Sequence, residues 1–118
     1  MGRLSTHILD IAQGRPASGV LIELFAIAAS GERRLLATAR TNADGRTGDP
    51  LLSGAGFATG IYELCFHIGD YFRSSRGDAA QPLFLDVVPV RFAISDAGGH
   101  YHVPLLCSPW SYSTYRGS

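Results

Sequence analysis

Proton transfer near neutral pH is within reach of three histidines, His7, His100 and His102, two of them a single residue apart late in the 118-residue chain. An imidazole titrates near ~6.5, so one ring of a pair can accept a proton while another donates one. Arg46 stands among Asn, Gly and Asp in a loop-forming run, and its guanidinium is a permanent cation with forked donors. All ten basic residues are arginine. With no lysine in the chain, Schiff-base chemistry by a lysine is excluded. Tyr112, Tyr115 and the closing Arg116-Gly117-Ser118 add hydroxyl and guanidinium groups. Cys65 and Cys107 each sit in an apolar run and are expected as buried small hydrophobes, not as a disulfide framework. No CxxC or HExxH spacing exists. Three histidines on strands, without a carboxylate motif, do not make a metal site, so no metal is expected. Each of these residues also has an ordinary role: a half-buried polar group on a strand, a solvated turn arginine, packing tyrosines, a frayed tail.

The elements that must position these groups are short β-rich runs divided by Gly, Pro, Asp and Asn. The pattern predicts strands over 4–9, 19–28 and 34–41, the last two joined by a hairpin turn at Ser30-Gly31-Glu32. Residues 42–50 hold two glycines and two aspartates and read as a loop. A brief strand at 51–52 and a clearer one over 60–68 follow. Asp70 is expected to cap a short helix over 70–75 that Gly77 limits. A long strand over 83–94 contains Pro89, which fits an edge, bend or bulge. The turn Asp96-Ala97-Gly98-Gly99 leads into a strand over 100–107, and a last one spans 110–115. Seven or eight such strands argue for an all-β, antiparallel β-sandwich with one short helix. No linker or repeat divides the chain, so one domain is expected over 1–118.

Strand alternation then sorts the side chains by face. Leu4, Thr6 and Ile8 share one side of the first strand; Ser5, His7 and Leu9 share the other. Tyr101, Val103, Leu105 and Cys107 form a bulky apolar face expected in the core, which leaves His100, His102, Pro104 and Leu106 opposite. A face mixing histidine, proline and leucine is either solvent or interface, and its partly apolar character is of the kind that often signals association with another subunit.

Composition narrows the classes further. The chain is 46% hydrophobic and 17% charged, which suits a packed globule. Ten basic and ten acidic residues cancel, so no net field attracts nucleic acid or an anionic membrane. No run approaches the ~20 apolar residues of a membrane span, and no signal-peptide pattern opens the chain. A cytoplasmic protein is expected. Pattern alone stops at a small β-sandwich without an assigned function.

Three segments carry it further. His7-Ile8-Leu9-Asp10 with Gly14-Arg15-Pro16-Ala17 resembles the opening of the transthyretin-like family. Thr41-Asn42-Ala43-Asp44-Gly45-Arg46 resembles its loop motif. The closing signature is similar over His100-Tyr101-His102-Val103-Pro104-Leu105-Leu106-Cys107-Ser108-Pro109 and Ser111-Tyr112-Ser113-Thr114-Tyr115-Arg116-Gly117-Ser118. Gly60-Ile61-Tyr62 and Tyr71-Phe72 match its strand-then-helix segment, and the likeness runs from about Leu4 to Ser118 without a large gap. The family holds a hormone carrier and the 5-hydroxyisourate hydrolases. The carrier lacks counterparts of His7, Arg46, His102 and the terminal Tyr-Arg-Gly-Ser, so this sequence looks like the hydrolase branch. Cys107 departs from the leucine common at that position, on the core side.

The resemblance implies hydrolysis of 5-hydroxyisourate in urate breakdown, with no cofactor and no metal. His7, Arg46, His102 and Ser118 are its expected catalytic groups, with Tyr115 and Arg46 touching substrate. The two histidines would divide acid and base work, and Ser118 would act by its hydroxyl or, if terminal, its carboxylate. The implied assembly is a homotetramer, a dimer of dimers whose sites lie in the channel between dimers. A carrier using the same channel is the main alternative, and the His/Arg cluster argues against it. A secreted adhesion sandwich would call for a signal sequence and a monomer.

Overall fold

The extended runs pack into two layers of sheet with their apolar sides together. The structure, a computed structural model, describes residues 2–76 and 83–117. Its strands are β1 (Arg3–Ser5), β2 (Ile8–Asp10), β3 (Arg15–Pro16), β4 (Leu21–Ile27), β5 (Arg33–Arg40), β6 (Leu52–Ser53), β7 (Gly60–His67), β8 (Val87–Ile94), β9 (His100–His102), β10 (Leu105–Cys107) and β11 (Tyr112–Thr114), with helix α1 (Ile68–Arg76) after β7. One layer is the antiparallel sheet β5-β4-β7-β8; the other consists of β6-β1-β9 and β11-β10-β2-β3. Leu4, Ile8, Leu105 and Cys107 from the second layer meet Ile22, Leu24, Leu64 and Phe66 from the first, all buried.

The expected strand over 4–9 is present as two halves, β1 and β2, and the strand over 100–107 likewise breaks into β9 and β10. Pro104 supplies the physical cause of the second break, since it has no N–H to give to a ladder. Val103 N donates to Ser5 O (2.9 Å) and Leu105 N to His7 O (2.9 Å), which keeps the halves together across both breaks. The pairs β1–β9 and β2–β10 are parallel, within a sandwich whose other strand pairs are antiparallel as expected. A parallel neighbour needs a long crossover, and nearly a hundred residues separate these partners. Side-chain alternation survives the breaks. Leu4, Thr6 and Ile8 are buried, while Ser5, His7 and Leu9 are only half-buried. Tyr101, Val103, Leu105 and Cys107 are buried as expected, whereas Pro104, expected on the polar side, is buried too.

Several boundaries differ from the sequence reading. The helix begins at Ile68, so Asp70 lies in its first turn and pairs with Arg73 instead of capping. Strand β8 starts at Val87, and its Pro89 sits on the sheet's edge, where a missing donor costs no ladder bond. The last strand is trimmed to Tyr112–Thr114. The role assigned to Gly77 lies outside the described residues. Both cysteines are free and buried. Cys107 is in the core, where burial pushes its thiol up to about 12. Cys65 instead faces outward beside Glu63, a carboxylate bound by Arg33 (3.2 Å) and Arg91 (3.1 Å).

Asp10 ties the second layer to the helix. Fully buried, its carboxylate accepts from Ala12 N and Gln13 N (both 3.0 Å), from Gln13 Nε2 (3.0 Å) and from the Tyr71 hydroxyl (2.7 Å). Burial and this neighbouring carboxylate raise the Tyr71 hydroxyl to about 12, so it remains a donor at any ordinary pH. Asp10→Ala strands these donors and is expected to lower stability by about 2–3 kcal/mol, read as a smaller urea midpoint at unchanged slope.

Candidate active site

His102 is the last residue of β9, and its parallel partner on β1 is Ser5. Paired residues project from the same side of a sheet, so the Ser5 hydroxyl meets His102 Nδ1 at 2.8 Å. Among the described residues, Nε2 of that ring has no hydrogen-bond partner. Two residues beyond Ser5, at the break between β1 and β2, His7 lies on the same side. Its Nε2 is 2.9 Å from Asp44 O. A carbonyl only accepts, so Nε2 carries the hydrogen and the neutral ring keeps Nδ1 as its acceptor.

The loop that supplies Asp44 is fixed by its own sequence. Asn42 Oδ1 accepts from Asp44 N (2.9 Å) and Arg46 N (3.2 Å), the side-chain turn that asparagine favours. Gly45 has φ +74, and a Cβ there would stand 2.4 Å from Ile8 O. Only glycine lets the loop close on β2, where Ile8 N donates to Gly45 O (2.8 Å). That docking carries Arg46 to the histidines. His102 is held below the usual histidine range, first by burial and then by the charges of Arg46 and His7. The structure therefore brings His7, Arg46 and His102 into one electrostatic cluster.

The chain's closing residues complete the wall. Gly117 N donates to His102 O (2.7 Å), and the two residues form an isolated antiparallel bridge. Arg116 lies over the Tyr101 ring at 4.1 Å and donates from Nη2 to His100 O (3.2 Å). His100, His102, Tyr115, Arg116 and Gly117 line an open cleft of about 880 Å³. Arg46 and Ser5 line a smaller adjoining hollow of about 250 Å³, so the Ser5–His102 contact separates the two. Tyr115 is thus at the cleft and largely exposed, at 61%. Ser118 lies outside the described residues. Among the described residues, no group of three or more His, Cys, Asp or Glu is placed to hold a metal ion, and no helix is long and apolar enough to cross a membrane.

Two contributors escaped the sequence reading. Ser5 shares its face with His7, which was visible, but its register opposite His102 was not. Gly117 is the other: a Cβ there would stand 2.8 Å from His102 Cδ2 and 3.2 Å from His102 Cβ. Gly117→Ala must lift the tail or turn the imidazole. About a tenfold fall in kcat/KM with an unchanged melting temperature is expected, since small displacements of a reacting group are costly.

Comparison with known proteins gives the family of the chain. The model of the HIUase/Transthyretin family matches residues 4–117. The chain belongs to that family. It is 59% identical over 117 residues to 5-hydroxyisourate hydrolase 2 of Rhizobium meliloti (strain 1021), covering 99% of this chain and 97% of the relative. The Klebsiella pneumoniae 5-hydroxyisourate hydrolase structure superposes with a TM-score of 0.78 at 38% identity, over 100% of both chains. Sea bream transthyretin in complex with thyroxine gives a TM-score of 0.86 at 31% identity, covering 98% of this chain and 94% of that one. The transthyretin fold is therefore common to both branches, and sequence identity is higher on the hydrolase side.

Proposed function

We propose that this protein is an enzyme of urate breakdown that hydrolyses 5-hydroxyisourate to 2-oxo-4-hydroxy-4-carboxy-5-ureidoimidazoline, and that His7, Arg46 and His102 carry the step. The observation that supports the site most directly is that Arg46 and His7 stand near enough for their charges to act on His102, which itself lines the cleft. Opening the N1–C6 bond needs a proton removed from water, charge placed against the developing oxyanion, and a proton delivered to the leaving nitrogen. His102 is the group kept neutral, by burial and by two adjacent cations. With Nδ1–H donating to Ser5 Oγ, its Nε2 lone pair takes the proton as the water oxygen attacks C6. Arg46 lies against the oxygen that becomes negative. Collapse of the tetrahedral adduct breaks C6–N1, and His7, entering this step as the imidazolium with Nε2–H on Asp44 O, gives its Nδ1 proton to N1 and is left neutral. Tyr115 lines the cleft as a substrate contact. Ser118, the neighbour of Gly117, is assigned a hydroxyl or carboxylate role by its family resemblance alone.

The half-exposed face that holds Ser5, His7, Leu9, His102 and Leu106 suits a wall shared between subunits. A homotetramer, a dimer of dimers with this face at the dimer–dimer interface, fits that surface. Light scattering behind size exclusion is expected to give four times the mass of the 12.6 kDa chain; a stable monomer would remove the shared channel from the account. The reaction itself is tested by converting 13C-labelled urate with urate oxidase in the presence of this protein. Carbon NMR should show the ring-opened carboxylate building up in proportion to added protein. Persistence of 5-hydroxyisourate with only its spontaneous decay would sink the proposal, and a folded tetramer that binds without turnover would favour a carrier.

A further inference from the structure

On another side of the molecule, α1 faces β3 and the end of β5 across a second cleft of about 600 Å³. Its walls include Arg15 from β3 and Arg40 from β5, with Tyr71, Ser74 and Ser75 from the helix and Ala43 from the loop before Arg46. Neither Arg15 nor Arg40 forms an ion pair among the described residues, although other arginines do: Arg33 and Arg91 with Glu63, Arg73 with Asp70 and Asp86. The nearby acidic groups are already engaged. Asp10, the register partner of Arg15, is saturated by four donors, and Asp70, itself on the wall of the cleft, is taken by Arg73. His67, also on the wall, is bound at 2.6 Å to Glu23. Arg40 is held in place by its Nη1 donating to Gly19 O (3.2 Å). Arg40, held at Gly19, and Arg15, beside the Tyr71 hydroxyl, both keep donors to spare; flanked by serine hydroxyls and by the apolar surface of Pro16 and Leu21, they form a receptor for a small organic anion. The volume suits a metabolite.

We propose that this cleft binds a small molecule bearing a carboxylate or phosphate group, which Arg15 and Arg40 clamp between them. The site is separate from the histidine cluster but shares structure with it. Ala43 on its wall precedes Asp44, whose carbonyl seats His7, and Gly45 packs against Pro16 and Ala17 next to Arg15. An anion held here presses on the loop that carries Arg46.

The test is calorimetric titration of the intact protein with inorganic phosphate and, separately, with citrate, paired with backbone NMR shifts. At least one probe is expected to bind with a dissociation constant of about 1 mM or tighter, shifting the amides of Ala43, Ser74 and Ser75. Arg15→Gln and Arg40→Gln should each weaken that binding about tenfold or more, while Arg34→Gln and Arg46→Gln leave it within about twofold. Binding of phosphate alone or citrate alone identifies which anion chemistry the clamp prefers. No binding of either probe, binding that survives both clamp substitutions, or binding abolished by Arg46→Gln would overturn the proposal. All four arginines are exposed, so circular dichroism should show each variant folded. The readout is binding, so it stands whether or not the protein turns over 5-hydroxyisourate.

Discussion

His102→Ala is expected to lower kcat/KM for 5-hydroxyisourate by about 10²–10⁴ while leaving the fold and the assembly intact. The ring is only half-buried and bonds one side chain, the Ser5 hydroxyl, so its loss removes little packing. What it removes is the neutral imidazole beside Arg46. The proposed mechanism places substrate affinity on other groups, Arg46 and the cleft around Tyr115, so the loss should fall mainly on kcat. Ser5→Ala separates orientation from proton transfer. It leaves His102 in place but frees Nδ1, so a smaller fall is expected, accompanied by a change in the ring's NMR tautomer signature. An alanine variant at His102 that retains wild-type turnover would remove it from the mechanism.

Arg46→Gln carries the second large effect, a loss of about 10²–10³ in kcat/KM, the scale of removing one oxyanion-stabilising group. It also makes a prediction with a sign. In the wild type, burial and the charges of Arg46 and His7 hold His102 below the usual histidine value. A base must be neutral to act, so the acid limb of the kcat/KM profile should fall below ~6.5, the pH where an unperturbed histidine titrates. Removing the Arg46 charge takes away one of the downward influences, His102 gains protons more readily, and the limb must move to higher pH. The spontaneous decay of the substrate is subtracted at each pH. A limb that stays put, or moves to lower pH, would separate Arg46 from His102.

Much of this site was legible because β-structure has a period of two. His102 beside the apolar Tyr101 and Val103 had to project from the sheet's other side, and Ser5 and His7 followed from the same alternation. The loop over 42–46 was legible as a loop from its Asn, Asp and Gly, although the contact of His7 with Asp44 O depends on three-dimensional closure. Register was not legible. Nothing local sets Ser5 opposite His102, because their strands pair in parallel across most of the chain, an exception within the antiparallel sandwich. Breaks at Thr6-His7 and Val103-Pro104 were equally hidden, apart from the proline. The outward cluster of Glu63, Arg33 and Arg91 escaped for the same reason: three strands must be aligned before those charges meet. Tail geometry around Gly117 is likewise tertiary, since the glycine is needed only because His102 lies against it.

One ultraviolet measurement tests the central claim most directly. Urate oxidase generates 5-hydroxyisourate in the cuvette, and its disappearance is followed with no added protein, with this protein, and with His102→Ala. The account predicts decay that accelerates in proportion to wild-type protein and returns close to the spontaneous rate in the variant. Decay no faster than the protein-free control, from a correctly folded wild-type sample, would contradict it.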